Sequence, residues 1–88
     1  SLSAIARQLG LSDRTLQRDL AAVGTTFAAL LDDVRKDQAL RYLTRSALTF
    51  SEIAYRLGFS APSAFTRSCL RWFDKPPSQI RKDRQSGE

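Results

Sequence analysis

The sequence predicts an all-α domain, and three observations carry that reading. Only two Val and three Ile stand against twelve Leu and eleven Ala, so residues that suit a pleated, half-buried sheet are scarce and good helix formers dominate. With 88 residues the chain can bury one modest core, which excludes a multidomain enzyme. Leu, Ile, Val and Phe still number 22, enough apolar surface to offset chain entropy and fold. Finally, a bihelical pattern occurs twice, 48 residues apart: Ser3-Ala4-Ile5-Ala6-Arg7-Gln8-Leu9-Gly10-Leu11-Ser12 matches Ser51-Glu52-Ile53-Ala54-Tyr55-Arg56-Leu57-Gly58-Phe59-Ser60 at six of ten positions.

Each copy reads as a short helix with apolar residues at i, i+1 and i+4. A glycine follows where a helix stop needs a left-handed residue, and then an apolar residue and a serine able to cap the next helix. The second helix of the first copy is expected over Arg14 to Val23, with Leu16, Leu20 and Val23 as its stripe. Gly24 stops it, and Thr25 or Thr26 caps one long helix through Arg45 that has no Gly or Pro inside. Along that helix Phe27, Leu30, Leu31 and Val34 fall on one side and Ala39, Leu40 and Leu43 roughly opposite, so one helix is expected to serve two cores. Thr49-Phe50-Ser51-Glu52 is a capping box that opens the next helix and makes Glu52 structural. The second copy has one extra residue in its turn, and its second helix is expected over Pro62 to Phe73 with Phe65 and Cys69 inward. Asp74-Lys75-Pro76-Pro77-Ser78 then breaks the helix. Pro77 starts a last short helix through Ile80 and Arg81, and a polar tail is expected to fray. The layout is two helix-turn-helix subdomains, residues 1–24 and 47–84, joined by a linker helix over 25–46 and ending in a tail at 85–88: about seven helices, homeodomain-like.

Fourteen Lys and Arg against nine Asp and Glu leave a net charge of +5, a surplus that attracts polyanions, nucleic acid first. Eleven of the fourteen are Arg, whose planar fork suits phosphates and guanine edges. On the second helix of the first copy Arg14, Gln17 and Arg18 share a face, with Thr15 beside them; Ser63, Thr66 and Arg67 repeat the arrangement in the second copy. Arg can fork onto guanine and Gln onto adenine, while Ser and Thr suit phosphates or either kind of base. The linker, at about 28 Å from its residue count, is comparable with the ~34 Å between successive major grooves on one face of a duplex. Two recognition helices reading adjacent major grooves of double-stranded DNA are therefore expected.

Other classes fare worse. No apolar run reaches the roughly 18 residues a membrane span needs, and no signal peptide is visible. A lone cysteine, Cys69, cannot form an internal disulfide, and without His there is no zinc ligand set, so a cytoplasmic domain with no metal and no cofactor is expected. No nucleophile has a base beside it, which argues against an enzyme. With no Met anywhere, the sequence is expected to be either an excised domain or a processed chain, and is read as a fragment.

The two halves, the linker "VRKDQALRYL", the segment "IAYRLGFSAPSAFTRSCLRWF" and the closing "PPSQIR" resemble the DNA-binding domain of AraC/XylS-type bacterial transcription regulators. The resemblance covers nearly the whole chain and is most specific at Gly58-Phe59-Ser60, Phe65, Arg67 and Pro77-x-x-Ile80-Arg81. It implies sequence-specific promoter binding, contacts to RNA polymerase as in an activator, and an effector-binding and dimerisation domain upstream of the residues given. By matching position it also implies recognition roles for Arg14, Gln17, Arg18, Ser63, Thr66 and Arg67. Three departures stand out. Cys69 sits where the family usually has Phe, as a small buried thiol; Asp74 replaces a common Gly; and Ala61, Pro62 and Ala64 give the second recognition helix little polar reach.

Candidate phosphate contacts are Arg7, Arg56, Arg71, Lys75 and Arg81, together with the N-termini of the recognition helices. Arg35, near Asp32, Asp33 and Asp37, is expected to buttress the linker helix instead. The rival reading is a helical protein-interaction module that docks on RNA polymerase or another acidic partner.

Overall fold

A computed structural model describes residues 1–87. Among them it contains six helices and no strand: α1 (Leu2–Gln8), α2 (Asp13–Ala22), α3 (Phe27–Arg45), α4 (Phe50–Arg56), α5 (Pro62–Phe73) and α6 (Pro77–Gly87). Two compact units are distinct, Ser1–Asp33 and the part from Val34 onward.

In the first unit, Ser1 and Ser12 cap α1 and α2, their hydroxyls accepting from Ala4 N at 3.3 Å and Thr15 N at 3.1 Å. Each satisfies one of the donors a helix start leaves unpaired. α1 closes in a Schellman turn: Gly10 N donates to Arg7 O and Leu11 N to Ala6 O, with Gly10 at φ 72°. Ser3 Oγ donates to Asp13 Oδ2 at 2.6 Å, tying α1 to α2. Thr26, not Thr25, caps α3, accepting from Ala29 N. The buried apolar residues are only Ala6 and Leu16, since helices of seven and ten residues can cover little surface. Leu30 is accordingly exposed, while Phe27 and Leu31 are half-buried; Val34, the first residue of the second unit, is exposed as well.

The second unit holds the larger core, with Ala39 and Leu43 of α3, Ile53 and Ala54 of α4, Leu57, Phe65 and Cys69 of α5, and Ile80 of α6. The expected capping box is present: Thr49 accepts from Glu52 N, and Glu52 Oε1 accepts from Thr49 N. Phe59, in the α4–α5 turn, packs its ring 5.8 Å from Phe65 and 6.2 Å from Trp72.

Three expectations are corrected. Leu40 is 42% exposed rather than buried with Ala39 and Leu43, because of the three only Ala39 and Leu43 meet the core of the second unit. Ser60 does not cap α5; the extra turn residue moves the N-cap to Ala61, which has no side-chain cap, and Pro62 takes the first helical position. α6 continues beyond Arg81 to Gly87, braced by Asp83, which accepts from Lys75 Nζ and Gln79 Nε2 at 2.6 Å each. Among the described residues the helices number six, close to the expected count of about seven. Of the tail expected at 85–88, Glu88 lies outside the described residues.

Candidate nucleic-acid interface

The second helix of each repeat carries the candidate readers, and each unit presents its own. On α2, Arg14, Gln17 and Arg18 are exposed, and the spacing i, i+3, i+4 gathers them on one face. Gln17 also borders a groove of about 360 Å³ lined by Leu2, Ala21 and Phe27. Thr15 departs from that set: its hydroxyl accepts from Ser12 Oγ at 2.9 Å and its N–H donates to the same oxygen. It is part of the helix cap.

On α5, Ser63 and Arg67 are exposed, whereas Thr66 is half-buried and donates to Pro62 O at 3.2 Å, the i−4 back-bond common for helical hydroxyls. Arg14, Arg18 and Arg67 form no ion pair with any described residue. Three cationic forks thus stand in solvent with their donors uncommitted.

The candidate phosphate contacts divide. Arg7 and Arg56 are exposed on α1 and α4, and Arg56 helps to hold the Glu52 carboxyl below its ordinary range, after the two Thr49 hydrogen bonds. Arg71 lies 5.5 Å from the centre of the Trp72 ring. Lys75 is paired with Asp83 at 2.6 Å, although both remain solvated, and its hydrogen bond, with that of Gln79, lowers the Asp83 carboxyl.

Arg81 belongs to the fold rather than to a surface contact. Its guanidinium donates to the carbonyls of Leu43 (3.1 Å), Leu48 (2.8 Å), Tyr42 (3.2 Å) and Ser46 (3.2 Å) and lies 5.0 Å from the Phe50 ring centre. It satisfies carbonyls that the end of α3 leaves open, where a cation also suits the helix dipole.

The family profile described as a helix-turn-helix domain matches residues 5–83. A transcriptional regulator from Chromobacterium violaceum, described as containing an AraC-type DNA-binding domain, superposes with a TM-score of 0.85 at 25% identity, over 100% of this chain and 80% of that one. The chain is an AraC-type helix-turn-helix domain. Transcriptional regulator CdpR from Pseudomonas aeruginosa has a TM-score of 0.82 at 38% identity, over 93% of this chain and 26% of its own. The HTH-type transcriptional regulator VirS from Mycobacterium tuberculosis is 49% identical over 81 residues, 92% of this chain. The AraC-type domain spans about a quarter of the length of that relative, 24%.

Two features of this AraC-type domain escaped the sequence reading. Arg35 reaches across to Leu57 O and Gly58 O, while Asp37 of the acidic cluster beside it pairs with Arg41 at 3.5 Å. Nothing in the local sequence signals a partner 22 residues away. Tyr55 is 83% exposed, and its signal was present: it occupies the repeat position of Arg7 on the solvent side of the first helix of its copy. Cys69 is fully buried, and desolvation pushes its thiol up to about 12, so it remains a neutral core group. Among the described residues no cluster of metal-ligating side chains occurs, and no helix is long and apolar enough to cross a membrane.

Proposed function

We propose that this domain binds double-stranded DNA sequence-specifically, with α2 and α5 as recognition helices that each enter a major groove. The observation that carries this is the recurrence of exposed, unpaired arginines, Arg14 and Arg18 on one helix and Arg67 on the other, on the second helix of each copy of a repeated bihelical unit. Gln17 and Ser63 flank them as further base or phosphate partners. Arg7, Arg56, Arg71 and Lys75 supply the sequence-independent phosphate contacts, Lys75 by exchanging Asp83 for a phosphate, and the N-terminus of α5, which has no side-chain cap, offers backbone donors. The role of the whole protein is that of a bacterial cytoplasmic transcription regulator. Relatives such as VirS, named as a transcriptional regulator, support that role; effector binding and dimerisation by an upstream domain, and RNA polymerase as protein partner, follow from the resemblance to AraC/XylS-type regulators alone.

Selection of bound sequences from a random duplex library tests the reading. Enrichment of a defined site with two half-sites supports both helices reading bases, and a single half-site restricts reading to one. Equal recovery of all sequences would favour the protein-interaction module instead.

A further inference from the structure

The turn between α4 and α5 is gripped from two sides. From α3, Arg35 Nε donates to Leu57 O at 2.9 Å and Nη2 to Gly58 O at 3.4 Å, while its guanidinium lies 4.9 Å from the Phe59 ring centre. From α5, Phe65 and Trp72 close on that same ring. A single cation therefore satisfies the carbonyls at the end of α4, where the helix dipole favours it, and presses on the aromatic residue against which α5 is packed.

We infer that Arg35 is a positioning residue for α5, governing base reading through Leu57, Gly58 and Phe59 without touching DNA. The inference rests on the proposed DNA reading. Arg67 lies on α5 two residues beyond Phe65, and a bidentate contact to a base edge tolerates only small errors of distance and angle. Non-specific attraction depends on charge and tolerates a shifted pose. Loosening the turn should thus lower affinity for a cognate site and spare affinity for unrelated DNA.

The test compares the unsubstituted 88-residue chain with Arg35→Met and Arg35→Lys. Affinities for a library-selected duplex and for a scrambled duplex are measured over a salt series, and amide exchange of residues 57–73 is followed without DNA. Met keeps an unbranched apolar stem but loses the guanidinium over Phe59 and every donor; Lys keeps a cation and a donor. The expected result for Arg35→Met is a loss of about tenfold on the selected duplex, scrambled affinity within about twofold, an unchanged salt slope and faster exchange through the turn, with partial rescue by Lys.

Equal losses on both duplexes, with a salt slope lower by about 0.9, would make Arg35 a phosphate contact and overturn the inference. Unchanged discrimination would also overturn it. Should Arg35→Met fail to fold, Arg35→Lys decides: weakened discrimination at an unchanged melting temperature supports positioning, and full discrimination sinks it. Should the unsubstituted domain itself fail to discriminate, the DNA reading falls while the exchange data still judge Arg35, since unchanged protection over 57–73 would overturn its hold on α5.

Discussion

Nη2 of Arg35 lies 3.1 Å from the point that a β-carbon on Gly58 would occupy, and Gly58 adopts φ +86°. A substitution there meets backbone strain and a crowded guanidinium together. Gly58→Ala is expected to destabilise the second unit by about 1 to 2 kcal/mol, most of it from the left-handed conformation, since the guanidinium can shift by the few tenths of an ångström needed. Gly10, at φ +72° with open space around it, should show the conformational cost alone. Urea unfolding of both variants checks this, and an unchanged midpoint for Gly58→Ala would refute the strained turn.

Arg81→Met should cost about 2 to 4 kcal/mol, because four carbonyls around the end of α3 lose their charged donor. The group is half-buried and water can replace part of the loss. At a temperature where the variant is folded, the salt dependence of its DNA binding should match that of the unsubstituted chain. A slope reduced by ~0.9 would return Arg81 to the phosphate contacts.

Arg18→Ala and Arg67→Ala should each weaken binding to a selected site by about 1 to 3 kcal/mol and relax preference at one base step. Both side chains are exposed and form no ion pair with described residues, so thermal melting should move little. Competition assays with single-base variants of the site read this directly; uniform weakening on every sequence would assign them to phosphates.

Asp74 closes α5 at φ 63° and ψ 16°, a conformation that penalises a β-carbon, and it places a carboxylate at the negative end of the helix dipole. Asp74→Gly is expected to stabilise the second unit by about 0.5 to 1 kcal/mol after the greater freedom of glycine in the unfolded chain is offset. A lower melting temperature would show that the carboxylate has a compensating role.

Glu52 is held below its ordinary value of 4.5 by its two hydrogen bonds with Thr49, and Asp83 below 3.8 by Lys75 and Gln79. Both folded values are depressed, so their contribution is present above the ordinary carboxylate range and disappears as the pH falls through the lower folded values. That contribution should therefore begin to decline below about pH 4.5. In Glu52→Gln and Asp83→Asn variants the melting temperature should depend less steeply on pH through that window; identical pH profiles would remove these groups from the acid response.

Much of the fold is legible in the chain because its signals are short-range. Thr49 and Glu52 are three residues apart, and the turns at Gly10 and Gly58 close within a helical turn of their partners. Spacing likewise announces Arg14, Gln17 and Arg18 as neighbours on one face, whatever packs on the other. The same local rules fail at Ser60, where one extra residue passes the cap to Ala61. They also fail at Leu40, since periodicity gives the angle between apolar side chains but not which of them meets a partner. The fate of the arginines depends still more on distance along the chain: Arg81 bonds residues 33 to 39 positions away and Arg35 residues 22 and 23 away. Whether a guanidinium turns to solvent or to the carbonyls at a helix end depends on where remote backbone comes to lie, and that is set by packing of the core, not by the residues beside it.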